Sequence, residues 1–151
     1  MATLTQINEF LAQSPIAFAG VSRDKKKFTY TMYKDLMKKG FKILPVNPNT
    51  DLIDDVKCFP TVASLPEGIN SLLIAVPKAE SASLVKQAID RNIKNIFIQQ
   101  QADTPEAIKL AEEAGINIIT GYCILMVTEP VQGFHGIHKF FAKLFGKYPK
   151  N

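Results

Sequence analysis

The sequence predicts a doubly wound α/β domain with a mainly parallel sheet of five or six strands and helices on both faces. Three observations carry that expectation. Short runs such as Ser71-Leu72-Leu73-Ile74-Ala75-Val76 are almost wholly apolar, as suits strands covered on both sides. Amphipathic stretches with helical spacing alternate with these runs. The connections between them are short, and 151 residues suffice for one core that buries roughly 70% of the unfolded surface.

Leu4, Ile7, Phe10 and Leu11 form one stripe of an opening helix over 3–13, closed by Ser14-Pro15. Ile16 to Val21 reads as the first strand. Phe28, Met32, Leu36 and Met37 are expected to share the buried face of the next helix, which Gly40 ends. Lys42-Ile43-Leu44-Pro45-Val46 reads as a second strand, and Pro45 places it at an edge or a strand end because proline donates no ladder bond. Between Asp51 and Leu65 the pattern weakens to an extended piece near Val56-Lys57-Cys58 and a helical turn near Val62.

Ser71 to Val76 is the third main strand, and Pro77 stops it. Ala82, Val85, Ala88 and Ile89 give the following helix its apolar side. Asn95-Ile96-Phe97-Ile98 is the fourth strand. Thr104-Pro105-Glu106 is a strong helix start, with a capping hydroxyl, proline at the first helical position and an acid at the positive end of the dipole. That helix stops at Gly115, and Asn117 to Thr120 supplies the fifth main strand. The domain is expected to span 1–128, followed by a helical extension over 129–151.

The net charge of +4 belongs to that extension. Every charged residue after Phe134 is a lysine, namely Lys139, Lys143, Lys147 and Lys150. Without these four, the 18 basic residues fall to 14 and match the 14 acidic ones. A solvated helix face explains the lysines better than nucleic acid does. Phe134, Ile137, Phe140, Phe141, Leu144 and Phe145 are too apolar for an isolated helix, so the stripe needs this domain, a second copy or a partner enzyme subunit to cover it. His135 and His138 have no cysteine or acid near them in sequence, and no metal site is expected. Apolar runs of strand length, an opening without a secretory pattern and only two cysteines point to a cytoplasmic protein.

In an open parallel sheet, ligands bind beyond the carboxyl ends of the strands, where the strand order switches. Gly20-Val21-Ser22-Arg23 follows the first strand and runs through Lys25, Lys26 and Lys27 into a helix. One glycine, a hydroxyl, cations and a helix start suit a phosphorylated ligand. Asn47-Pro48-Asn49, Val76-Pro77-Lys78, Gln99-Gln100-Gln101 and Gly121-Tyr122-Cys123 complete this edge. They hold no acid and no histidine, and no catalytic set can be assembled from them.

These stretches resemble the standalone CoA-binding domain family, whose Rossmann-like fold is related to the N-terminal domain of the succinyl-CoA synthetase alpha subunit. The resemblance runs from about Pro15 to Met126. It rests on Ile16 to Arg23 with Lys27-Phe28, on Gly40 to Pro48, on Cys58 to Pro66, on Glu112 to Ile116 and on Cys123. It implies that Gly20, Val21, Ser22 and Arg23, with Lys27, Phe28 and Thr29 at the next helix start, hold the CoA phosphates. Lys42, with Asn47 and Pro48, would lie near the adenosine 3′-phosphate, and Val76 and Pro77 would flank the adenine or the pantetheine arm. Cys123 would stand where it could meet a thiol ligand.

The chain departs from the family at Thr29, where glycine is frequent, and at Tyr122, where arginine is frequent. Thr29 can still cap a helix and bond a phosphate through its hydroxyl. The related synthetases carry a phosphorylated histidine in a further domain, for which this chain is too short. The resemblance therefore implies a CoA or acyl-CoA binder that needs a partner for catalysis. An NADP(H)-dependent oxidoreductase is the alternative, because no acid follows the second strand and Lys42 lies nearby. A regulatory or scaffolding subunit of a larger enzyme is the third reading.

Overall fold

The computed structural model describes residues 2–128. Helix α1 (Leu4–Leu11) opens on a capping box in which Thr3 and Gln6 each accept the other's backbone N–H. Then follow β1 (Ile16–Ala19), α2 (Phe28–Lys38), β2 (Ile43–Val46) and the hairpin β3 (Leu52–Ile53) with β4 (Val56–Lys57). A 3-10 turn (Val62–Ser64) leads to β5 (Ser71–Ile74), α3 (Lys78–Asp90), β6 (Asn95–Gln99), α4 (Pro105–Glu113), β7 (Asn117–Tyr122) and the short α5 (Ile124–Val127). Thr104 caps α4 by accepting the Ala107 N–H, and Pro105 is its first residue.

The main sheet has the order β2-β1-β5-β6-β7 and is parallel throughout. Alternation along the strands divides the core in two. Phe18, Leu73, Phe97 and Ile119 face α1, α2 and α5, whereas Ala19, Leu72, Ile74, Ile96 and Ile98 face α3 and α4. At the amino edge, the Asn117 carboxamide donates to the Gln6 carbonyl and to Asn95, and the Ser71 hydroxyl donates to the Phe10 carbonyl, which fastens α1 across β5–β7.

Strand β2 stands at the sheet edge, as Pro45 implies. Its outer side is not bare, because the Phe59 N–H donates to the Pro45 carbonyl and the Asn47 N–H donates to the Phe59 carbonyl, both at 2.9 Å. The expected face of α2 needs correction. Met32, Tyr33 and Leu36 are buried, while Phe28 and Met37 stand 49% and 39% exposed. A helix on a short sheet buries its middle turns, and these two residues lie near its ends. The extension over 129–151, with its aromatic stripe, His135 and His138, lies outside the described residues. Among the described residues no helix is long and apolar enough to cross a membrane, and no cluster of metal-ligating groups occurs.

Candidate functional site

Strand β1 continues to α2 on one face of the sheet, and β5 continues to α3 on the other. The two connections part at the carboxyl edge and leave a crevice, as a switch in strand order requires. A cleft of about 590 Å³ opens there. Gly20-Val21-Ser22 forms one wall, Asn47-Pro48-Asn49 a second, and Val76-Pro77 the floor beside β5. Pro60 and Thr61 close the far side, with Ala79, Glu80, Ser83, Leu84 and Gln87 of α3.

Gly20 lets the end of β1 and the end of β5 approach closely beside the crevice. Its φ is +106°, and a Cβ there would stand 2.0 Å from the Ala75 carbonyl oxygen. The Gly20 N–H donates to Val46 and the Ala75 N–H to Ala19, so β2, β1 and β5 are laced together at this point. Ser22 follows with its Oγ accepting the Asp24 N–H at 3.0 Å, which leaves its O–H to donate. Asp24 shapes the next turn by accepting from the N–H groups of Lys26 and Lys27.

The expected site residues divide accordingly. Gly20, Val21, Ser22, Asn47, Pro48, Val76 and Pro77 come together around the cleft. Arg23 stands at the rim, its guanidinium donating to the Asn49 carbonyl at 3.5 Å. Lys27 is the N-cap of α2 without a side-chain bond, and Phe28 begins the helix. Thr29 lies inside the first turn and is not the cap, so that expectation is corrected: the chain becomes helical one residue before it.

Lys42 is not brought to the cleft. It precedes β2 at the amino edge, where its carbonyl accepts the Ile16 N–H, and four residues of strand, roughly 13 Å, separate it from the crevice. Cys123 is not brought there either. It is 1% exposed at the start of α5, and β7 lies two strand spacings, about 10 Å, from β5.

The ends of β6 and β7 are tied to each other and to the start of α5. Buried Gln99 accepts the Ile124 N–H, and the Gln100 N–H donates to the Tyr122 carbonyl. The described cleft lies at the β2-β1-β5 half of the edge. Sequence reasoning missed the α3 wall, because Glu80, Ser83 and Gln87 look like the solvent side of an amphipathic helix. Pro60-Thr61 lay inside a matched stretch and carried the one available signal.

Charge is distributed unequally around the cleft. No acid occupies the first turn of α2, and no carboxylate of the described residues pairs with Lys25, Lys26 or Lys27. Glu80 occupies the first turn of α3 and offsets the dipole of that helix. Behind the loop, Asp54 accepts from the Tyr30 hydroxyl at 2.5 Å and from Lys34 at 3.1 Å. The hydrogen bond from Tyr30, then that from Lys34, holds the Asp54 carboxyl below its usual range, and the same bond raises the Tyr30 phenol. Asp54 and Asp55 have positive φ in the β3–β4 turn, so this contact docks the hairpin on α2.

A carboxyl with a depressed folded-state pKa stabilises fully above its unfolded value, and that contribution disappears as pH falls through the folded value. Acidification is therefore expected to release the hairpin from α2 before the sheet unfolds. Amide spectra of Leu52 to Lys57 followed from pH 7 to pH 2 report it, and Asp54→Asn is expected to show the released spectrum at pH 7.

The fold and the crevice define an open parallel α/β domain of the doubly wound class. The model of the CoA binding domain family matches residues 14–129, and the chain belongs to that family. The ADP-forming acetate–CoA ligase II of Archaeoglobus fulgidus is 30% identical over 112 residues, which is 73% of this chain and 17% of that protein. The alpha subunit of the corresponding ligase II of Pyrococcus furiosus is 25% identical over 129 residues, 78% of this chain and 28% of the relative. This chain thus spans less than a third of either ligase. Among solved structures, a hypothetical protein from Pyrococcus horikoshii is similar over 87% of this chain and 94% of its own, with TM-score 0.78 and 29% identity. A conserved hypothetical protein from Pyrococcus furiosus covers 76% of this chain and 98% of its own, with TM-score 0.73 and 34% identity.

Proposed function

We propose that this protein binds CoA or an acyl-CoA in the β1–β5 crevice, as a non-catalytic or accessory single-domain protein. The carrying observation is the crevice itself, with Gly20 and Ser22 on its wall and Lys25, Lys26 and Lys27 in the loop beyond. Phosphates take the β1–α2 side, where backbone N–H groups, the Ser22 hydroxyl and cations are concentrated. The uncharged arm lies along α3, where Glu80 disfavours an anion and Ser83 and Gln87 offer hydrogen bonds. Among the described residues no nucleophile paired with a base lines the cleft, so catalysis calls for a partner, and membership of the same family as a ligase alpha subunit supports that reading.

Thermal melting with CoA, acetyl-CoA, NAD, NADP and ATP tests the proposal. A ligand at one hundred times its dissociation constant adds about 2.7 kcal/mol, or roughly 5–10 °C for a chain of this size. The expected result is a shift with CoA and acetyl-CoA. A shift with NADP and none with CoA would make the oxidoreductase reading the better one. No shift with any of them would favour a scaffolding subunit.

A further inference from the structure

Asn47 lines the cleft, yet both halves of its carboxamide are already engaged. Its Nδ2 donates to the Val21 carbonyl and its Oδ1 accepts the Asn49 N–H, each at 2.8 Å. Its own backbone N–H donates to the Phe59 carbonyl. One residue thus joins the loop after β1, the loop after β2 and the segment that crosses outside the sheet edge. Only a side chain with a donor and an acceptor at this reach satisfies both neighbours. Ionised aspartate lacks the donor, serine is too short and glutamine is too long.

The bond to Val21 has a geometric consequence. In a trans peptide the carbonyl of one residue and the N–H of the next point in opposite directions. Drawing the Val21 carbonyl toward Asn47 therefore aims the Ser22 N–H the other way. That N–H has no hydrogen-bond partner among the described residues, and Ser22 lines the cleft. We propose that Asn47 is a positioning residue: it fixes the Val21–Ser22 peptide so that the Ser22 N–H and hydroxyl together receive a phosphoryl oxygen. This rests on the reading of the cleft as a CoA site, and it assigns Asn47 to orienting the loop rather than to touching the ligand.

The charged groups around position 47 are Arg23 on the Asn49 carbonyl, Lys57 over the Phe59 ring, Asp24 and Asp51 in the adjoining turns, and Glu80 across the cleft. Wild-type protein carries them all and is the reference at each pH. The test is calorimetric binding of dephospho-CoA, whose diphosphate does not titrate in the range used, to wild type, Asn47→Ala and Asn47→Asp at pH 7 and pH 3.5.

Loss of the bracket is expected to weaken binding about ten- to hundredfold in both variants at pH 7. At pH 3.5, below the ordinary aspartate value of about 3.9, most of the carboxyl introduced by Asn47→Asp is protonated and regains a donor and an acceptor. That variant should then return to within about threefold of wild type while Asn47→Ala stays weak. Asn47→Ala binding like wild type, or Asn47→Asp failing to recover, overturns the proposal. The Ser22 amide resonance of the unliganded protein reports the same peptide independently of any ligand. It should move in Asn47→Ala and return in protonated Asn47→Asp; a resonance coincident with wild type in Asn47→Ala also overturns it. Wild-type protein that binds no CoA species would overturn the ligand reading alone.

Discussion

Gly20→Ala is expected to abolish binding and to destabilise the fold by about 2–6 kcal/mol, since a positive-φ strain and an overpacking cost are each about 1–3 kcal/mol. The added methyl would meet the Ala75 carbonyl oxygen at 2.0 Å, and that oxygen belongs to the backbone between β5 and α3. No rotamer change relieves such a contact. Either β1 or the β5 connection must move, and the Gly20–Val46 and Ala75–Ala19 bonds go with it. Denaturant melts and calorimetry with CoA check both parts. Substitution at Gly115, where φ is +71° and nothing lies within 4 Å, separates strain from crowding. Gly115→Ala should cost about 1 kcal/mol and leave binding intact. Equal losses at the two positions would show that crowding at Gly20 is unimportant.

Arg91→Ala is expected to cost about 2–3 kcal/mol and to weaken CoA binding roughly tenfold, although the residue does not line the cleft. Its guanidinium donates to the carbonyls of Ala63, Leu65 and Pro66, the last two at 2.6 and 3.0 Å. One turn earlier, Gln87 accepts the Val62 N–H. These bonds hold the 3-10 turn on α3, and the turn carries Pro60 and Thr61 as the far wall of the cleft. A loosened wall must be ordered again each time a ligand enters. Arg91→Lys should recover little, because an ammonium group does not reproduce the planar fork on three carbonyls. Hydrogen exchange at Val62, Ser64 and Leu65 should rise with the weaker binding. Unchanged exchange there, with stability within about 0.5 kcal/mol of wild type, would remove Arg91 from the wall.

The sheet was legible because its strands are apolar on both faces, and α4 because Thr104-Pro105-Glu106 states its own start. The edge position of β2 could be read from a missing donor at Pro45. What escaped the sequence depends on placement rather than pattern. Lys42 and Asn47 bracket the same strand, and only the direction of that strand decides that one reaches the cleft and the other does not. Periodicity grouped Phe28 and Met37 with Met32 and Leu36, but it carries no information on where a helix overhangs its sheet. Asp54-Asp55 forms a tight hairpin turn without the asparagine–glycine signal, because Tyr30 and Lys34 hold it from another element.

The closure of Gln99 on Ile124 and of Gln100 on Tyr122 has a consequence for how such a domain can be extended. These bonds tie the ends of β6 and β7 together and hold the start of α5, and Lys39 at the end of α2 donates to Thr128, so a polypeptide continuing past Thr128 departs from ground already tied down. The bond to Thr128 holds the chain at the far end of α2 from the loop that carries Gly20. The stretch matched in the two ligases makes up less than a third of each chain. A domain whose crevice opens beside the start of α2 and whose exit is held at the end of that helix can be spliced into longer polypeptides without its crevice being rebuilt.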